Sequence, residues 1–207
     1  MKDWTGGLKS AYACIGANNH SDSVREINDY YATDPKCVDD LLSKESFSTN
    51  IWECACGEGH ISKKLEEAGY NVFSTDLIDR GFGIPDVDFL KQEGRGDLDY
   101  DIITNPPYKY ATEFVNKALS IIGDGHRVAM FLKLTFLEGK TRYDTLFKPT
   151  PPHYVYVYTF RALCSKNGKF DEASSGAIAY AWYIWDKGYK GEPIIRWITE
   201  RRMTNND

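Results

Sequence analysis

Short apolar runs alternate with amphipathic stretches through the first two-thirds of the chain, and that alternation constrains the fold more than any other feature. "NIWECAC", "NVFSTD", "YDIIT" and "HRVAMFLKL" are too short and too apolar for exposed helices and read as strands. Between them lie helical patterns. "TDPKCVDDLLSK" places Asp34 as a cap, Pro35 at the first helical position and Val38, Leu41 and Leu42 on one stripe. "ISKKLEEAG" sets Ile61, Leu65 and Ala68 on one face and ends at Gly69, and "ATEFVNKALSII" turns Phe114, Val115, Ala118 and Leu119 inwards. Strands that alternate with helices predict an α/β fold: a mostly parallel sheet with helices on both faces.

The last third changes rhythm. "LEGKTRYDTLF" predicts a helix, "HYVYVYTF" and "GAIAYAWYIW" two strands closing the sheet as an antiparallel hairpin, and "PIIRWI" an edge strand. Residues 1–28 are polar, show no sustained period and read as an irregular arm, which leaves 29–207 as a single domain. With 42% hydrophobic and 14% aromatic residues the chain can bury a substantial core. It has no apolar run of membrane-spanning length and no signal-peptide start, so a cytoplasmic protein without a membrane partner is expected. The five cysteines lack paired C-x-x-C spacing, which argues for buried free thiols over a metal site or a disulfide framework. A net charge of −5 excludes a broad, non-specific nucleic-acid binder, although Lys133, Arg161, Lys166 and Lys169 fall in a locally basic stretch.

In open sheets of this type ligands bind outside the carboxyl ends of strands, and the polar motifs gather there. "ECACGEG" (53–59) links a strand to a helix: Gly57 and Gly59 permit a tight turn and close backbone approach, and the helix start offers free N–H groups. It matches neither G-x-G-x-x-G nor a phosphate loop, and Glu53 would repel a pyrophosphate while suiting a ligand with an ammonium group. Asp76 ends the next strand, where a carboxylate can accept both hydroxyls of a ribose. Asp88 and Phe89 offer an acceptor for an amino group and an aromatic neighbour. The most specific stretch is Asn105-Pro106-Pro107-Tyr108. Proline lacks an N–H, fixes its own φ and pushes the preceding residue towards extended backbone. The loop therefore presents an amide, a carbonyl and a ring stiffly.

"ECACGEG", Asp76, "DFL" and "NPPY", in that order and spacing, resemble the motifs of S-adenosylmethionine-dependent amino-methyltransferases. The resemblance is nearest to small phage- and prophage-type DNA adenine methyltransferases and covers most of residues 28–198, including "NHSD", "REINDYYATDP" and "FLKLTFLEGK". It implies a Rossmann-like sheet of seven strands, one of them antiparallel, and S-adenosyl-L-methionine as cofactor, with no metal. It also implies roles. Tyr31 and Thr33 would help hold the methionine end, Ala55, Cys56, Gly57 and Gly59 would form the turn, and Glu53 would meet the ammonium. Asp76 would bind the ribose, and Asp88 with Phe89 the adenine. Asn105 and the Pro106 carbonyl would accept the two hydrogens of the target amine, with Pro107 stiffening the loop and Tyr108 stacking on a flipped base.

One departure stands out. The stretch between Gly59 and Asn105 is already filled by Asp76 and "DFL", and no segment of ordinary target-recognition size follows "PIIRWI". Readout of a DNA sequence would have to come from the arm, from residues 133–175, from a homodimer or from an accessory partner. The loop at Gly168, between Lys166 and Lys169 and near Arg161, is the expected DNA contact. Other acceptors with a planar NH₂ (an RNA base, a protein glutamine) fit the same motif, and a non-catalytic phage binding module is the remaining alternative.

Overall fold

The computed structural model describes residues 31–94, 96–166 and 178–199. The expected arm, Lys169 and the Gly168 loop lie outside them.

Seven strands form the main sheet: β2 (Asn50–Glu53), β3 (Asn71–Ser74), β4 (Asp101–Thr104), β5 (Arg127–Lys133), β6 (Tyr154–Tyr158), β8 (Tyr180–Asp186) and β9 (Ile194–Ile198). Their order is β3-β2-β4-β5-β8-β6-β9. β8 runs antiparallel to both neighbours and every other pairing is parallel. The central strands read as unbroken apolar runs because both faces of the sheet are covered. On one face Ile102, Val128, Met130 and Leu132 meet Phe114, Val115, Ala118 and Ile121 of α3 (Ala111–Ile121). On the other, Ile51, Ile103, Ala129 and Phe131 meet Val38 and Leu41 of α1 (Pro35–Leu42) and Ile61 and Leu65 of α2 (His60–Glu67). The Asp34 carboxylate accepts from the Lys36 N–H at 2.9 Å, with Pro35 in the first turn, so α1 starts where the sequence places it.

"VDFL" forms a 3₁₀ turn over Phe89–Lys91, because the Asp88 carboxylate caps it at the Leu90 N–H, 3.1 Å away. Two sequence expectations shift. The helix expected at "LEGKTRYDTLF" starts only at α4 (Lys140–Arg142), after Gly139 at φ 120°, and runs into a π turn over Tyr143–Phe147. β6 and β8 pair antiparallel as expected, yet they are no simple hairpin. Between them the chain leaves the sheet as β7 (Cys164–Lys166), which pairs antiparallel with β1 (Tyr31–Thr33) in a two-stranded ribbon. β9 is the edge strand, parallel to β6. Among the described residues no helix is long and apolar enough to cross a membrane.

Candidate functional site at the carboxyl ends of the strands

β4 lies between β2 and β5, so the turns that follow these strands emerge side by side, with strand axes about 5 Å apart. Asn105 leaves the end of β4. Its Nδ2 donates to the Tyr31 carbonyl at 2.8 Å and faces Cys164 Sγ at 3.5 Å. A carbonyl only accepts, so the nitrogen must be the atom on that side. The oxygen then points away, and Asn105 Oδ1 is buried with no hydrogen-bond partner. Leaving such an acceptor unpaired costs about 1–3 kcal/mol.

Tyr108 opens a 3₁₀ turn that leads into α3. Its ring stacks on Tyr31 (centroids 5.9 Å, 29°) and tilts against Tyr180 (6.1 Å), while Lys133 at the end of β5 holds its ammonium 4.6 Å from the ring centre. Loss of solvation pushes the Tyr108 phenol well above its ordinary range, as it does Tyr180. Cys164 Sγ lies 3.3 Å from the Tyr108 hydroxyl, and burial pushes the thiol up to about 11. The β1–β7 ribbon brings these groups together by pairing Thr33 with Cys164 and Tyr31 with Lys166. Thr33 Oγ1 is a second buried atom without a partner.

The glycine turn forms a separate cluster. Gly57 and Gly59 have φ of 56° and 82°, conformations that a side chain disfavours. The Gly57 N–H donates to Asp76 Oδ2 at 2.8 Å, and the Ile78 N–H to Asp76 Oδ1 at 2.9 Å, which locks the carboxylate across the ends of β2 and β3. Phe82 lies on the turn so closely that a Cβ on Gly59 would come within 2.5 Å of its ring. Burial pushes the Cys56 thiol up to about 12, and its sulfur sits 3.6 Å from the Phe82 carbonyl. Ala55 packs against the core beside it.

Two expected residues sit differently from the roles assigned to them. Glu53 is 1% exposed and takes the Ser62 hydroxyl; Ser62 also touches Ser74 at 2.7 Å. Burial drives this carboxyl well above the ordinary range. It therefore lies beneath the turn, inside a hydroxyl network, and not on an open wall. The Phe89 ring does not face a ligand: it is 2% exposed and packs edge-on against Trp52 at 5.2 Å and against Phe114 at 5.0 Å. Asp88 keeps a part-exposed carboxylate, which caps the turn and pairs with Lys91 at 3.1 Å.

Of the basic residues, Lys133 joins the Asn105 cluster, Arg161 is exposed, and Lys166 contributes backbone pairing opposite Tyr31. The described cysteines (Cys37, Cys54, Cys56 and Cys164) are free thiols. Ser62, Phe82, Cys164 and Tyr180 are site residues that the sequence did not single out. Phe82, Cys164 and Tyr180 reach the site through contacts made far along the chain and Ser62 through Glu53 nine residues before it, and no local pattern marks them.

No protein-family model matches the sequence, and neither does any curated protein. Solved structures do match in shape. A modification subunit described as part of a type I restriction enzyme from Vibrio vulnificus YJ016 aligns with a TM-score of 0.58 at 14% identity, over 95% of this chain and 50% of that one. The type I restriction-modification methyltransferase subunit of Streptococcus thermophilus aligns at 0.56 and 12%, over 84% and 48%. A protein described as a class I S-adenosylmethionine-dependent methyltransferase from Listeria monocytogenes aligns at 0.53 and 11%, over 88% and 69%. The chain spans about half the length of the two restriction-modification subunits. At these identities the common property is the fold. The chain has the class I methyltransferase fold, α/β with a mostly parallel seven-stranded sheet flanked by helices.

Proposed function

We propose that this chain transfers a methyl group from S-adenosylmethionine to the exocyclic 6-amino group of adenine in DNA. The observation that carries this reading is the Asn105 amide. Its nitrogen is anchored to the Tyr31 carbonyl and its oxygen is buried, unpartnered and fixed in direction. A stable fold has little reason to strand an acceptor there unless a donor arrives from outside the chain.

An adenine amino group supplies two such hydrogens. Asn105 Oδ1 accepts one and the Pro106 carbonyl accepts the other. Two acceptors draw the nitrogen towards pyramidal geometry, localise its lone pair and stabilise the positive charge that develops on it. Pro106 and Pro107 keep the acceptors in place without a flexible turn. Tyr108 offers a ring for the extruded base to stack on, which repays part of the unstacking cost.

The glycine turn fits the cofactor in kind. The Asp76 carboxylate retains lone pairs beyond the two backbone bonds it accepts, as a ribose requires. Gly57, Gly59, Asp76 and Asp88 would hold it, and the Glu53 carboxyl, buried beneath the turn and bound to Ser62, would support the turn from below. When bound, the cofactor supplies an electrophilic methyl on a sulfonium. Lys133, Arg161, Lys166 and Lys169 are proposed to meet the DNA backbone, and a second copy or an accessory partner to supply sequence readout.

Transfer of radiolabel from S-adenosylmethionine to DNA, RNA and a glutamine-containing peptide tests the reading. Label is expected in adenine of DNA. Asn105→Ala should lose about 100-fold or more of the rate while retaining cofactor binding. Full activity in that variant, or label confined to RNA or peptide, would refute it.

A further inference from the structure

Cys164 lies where the Asn105 amide, the Tyr108 hydroxyl and the β1 backbone meet, and none of the chemistry above uses it. Its Sγ is 3.5 Å from Asn105 Nδ2, 3.3 Å from the Tyr108 hydroxyl and 3.6 Å from the Tyr31 carbonyl oxygen. A thiol has one proton to give and lone pairs to receive. The carbonyl can only accept, so the S–H points to Tyr31, and the sulfur receives from both Asn105 and Tyr108.

This arrangement accounts for both hydrogens on Asn105 Nδ2. One goes to the Tyr31 carbonyl at 2.8 Å and the other to Cys164. An amide held by one bond can still rock about its side-chain torsion, and the oxygen at its other end sweeps as it does. A second bond on the same nitrogen removes that motion and sets the direction of Oδ1. Contacts of 3.3–3.6 Å suit sulfur, whereas hydrogen bonds to oxygen are shorter, about 2.5–3.2 Å. A hydroxyl at this place would have to draw these partners inward, the Tyr180 hydroxyl among them, to satisfy all of them.

We propose that Cys164 is a positioning residue: through its bonds to Asn105 and Tyr108 it aims the amide oxygen and the ring at the incoming amine, without touching the amine itself. The proposal rests on the reading of Asn105 Oδ1 as the acceptor for that amine. It also explains why β7 leaves the main sheet to pair with β1, since that ribbon brings Cys164 opposite Thr33, two residues from the carbonyl that anchors the amide.

Steady-state methyl transfer to DNA by the full chain, comparing wild type with Cys164→Ala and Cys164→Ser, tests it. Losing the bond should lower kcat about tenfold in Cys164→Ala, with KM for DNA and the Kd for S-adenosylmethionine changed less than about twofold. Cys164→Ser keeps the hydrogen-bonding group at a worse distance and should fall between the two. A purely structural thiol would instead move the melting temperature and all kinetic constants together, without that order. Wild-type kcat in Cys164→Ala, or a loss seen in cofactor affinity alone, overturns the proposal. Should Cys164→Ala fail to fold, Cys164→Ser decides: a drop in kcat at unchanged cofactor affinity supports the role, and no drop overturns it. If the wild type methylates none of DNA, RNA or peptide, the methyl-transfer reading fails and the proposal falls with it. Activity in the wild type that Cys164→Ala matches sinks only the proposal.

Discussion

Replacing Gly59 with alanine perturbs the glycine turn in two separable ways. The residue sits at φ 82°, and its added Cβ would meet Phe82 Cδ1, Cε1 and Cγ at 2.5, 2.6 and 2.7 Å. Left-handed backbone costs a residue with a Cβ about 1–2 kcal/mol. Carbon atoms prefer about 3.5–4.0 Å, so each ring contact is short by roughly 1 Å. Crowding of that kind costs about 1–3 kcal/mol in a packed site. Phe82 is only half-buried, but its loop cannot simply swing clear. Ile84 bonds to the Ser74 carbonyl at 2.9 Å, and a Cβ on Gly83 would already meet Cys56 Sγ at 2.7 Å. We therefore expect Gly59→Ala to destabilise by about 2–5 kcal/mol. The Phe82→Ala background separates the two parts: there the same change should cost only the backbone part, about 1–2 kcal/mol. Urea unfolding of the four proteins, with equal m-values, measures both numbers and their coupling. Equal cost in the two backgrounds would show that Phe82 does not rest on the turn, and no cost in either would refute the left-handed geometry.

Two pH profiles follow from one buried and one part-exposed carboxyl. Burial raises the folded-state pKa of Glu53, so its contribution to stability is complete below the unfolded value and is lost as pH rises through the folded one. Glu53→Gln should remove that decline and overtake the wild type in alkaline thermal melts; parallel profiles would contradict the buried, Ser62-bound carboxyl. Asp186 is the opposite case. Desolvation raises its pKa, but hydrogen bonds from His153 and Arg127 outweigh it, and the net shift is downward. Its stabilisation is present above the ordinary carboxyl range and is lost as pH falls through the lowered value. With Arg127 Nε 2.6 Å away, Asp186→Asn should cost about 1.5–3 kcal/mol near neutral pH. In chemical unfolding that gap should narrow as pH falls below the ordinary carboxyl range; a gap that stays constant through acid would count against the ion pair.

How much of the site was legible depended on how local each signal is. Strand ends and capped helices show in runs of a few residues, so Asn105 was placed correctly at a strand end, Asp76 within two residues of one, and Asp34 and Pro35 at the start of α1. The stiffness of Asn105-Pro106-Pro107-Tyr108 is likewise a property of the residues themselves. Phe89 was misread because an aromatic next to an acid looks the same whether its ring faces a ligand or Trp52. Glu53 was misread because a carboxyl's burial is set by Ser62 and by the layers packed around it, not by its neighbours in the chain.

By itself the sequence determined the alternation of elements, hence a sheet covered on both faces, and the residue types that stand at its carboxyl ends. Those follow from periodicity, capping and the fixed dihedrals of proline, all of which act within a few residues. The tertiary structure alone decided that β7 would leave the sheet for β1, that Phe82 would lie on Gly59, and that Tyr31 and Cys164 would together hold the Asn105 amide. These contacts join segments tens of residues apart. Their geometry comes from packing the whole chain, so an amide oxygen is left free at the end of β4 only once the fold is complete.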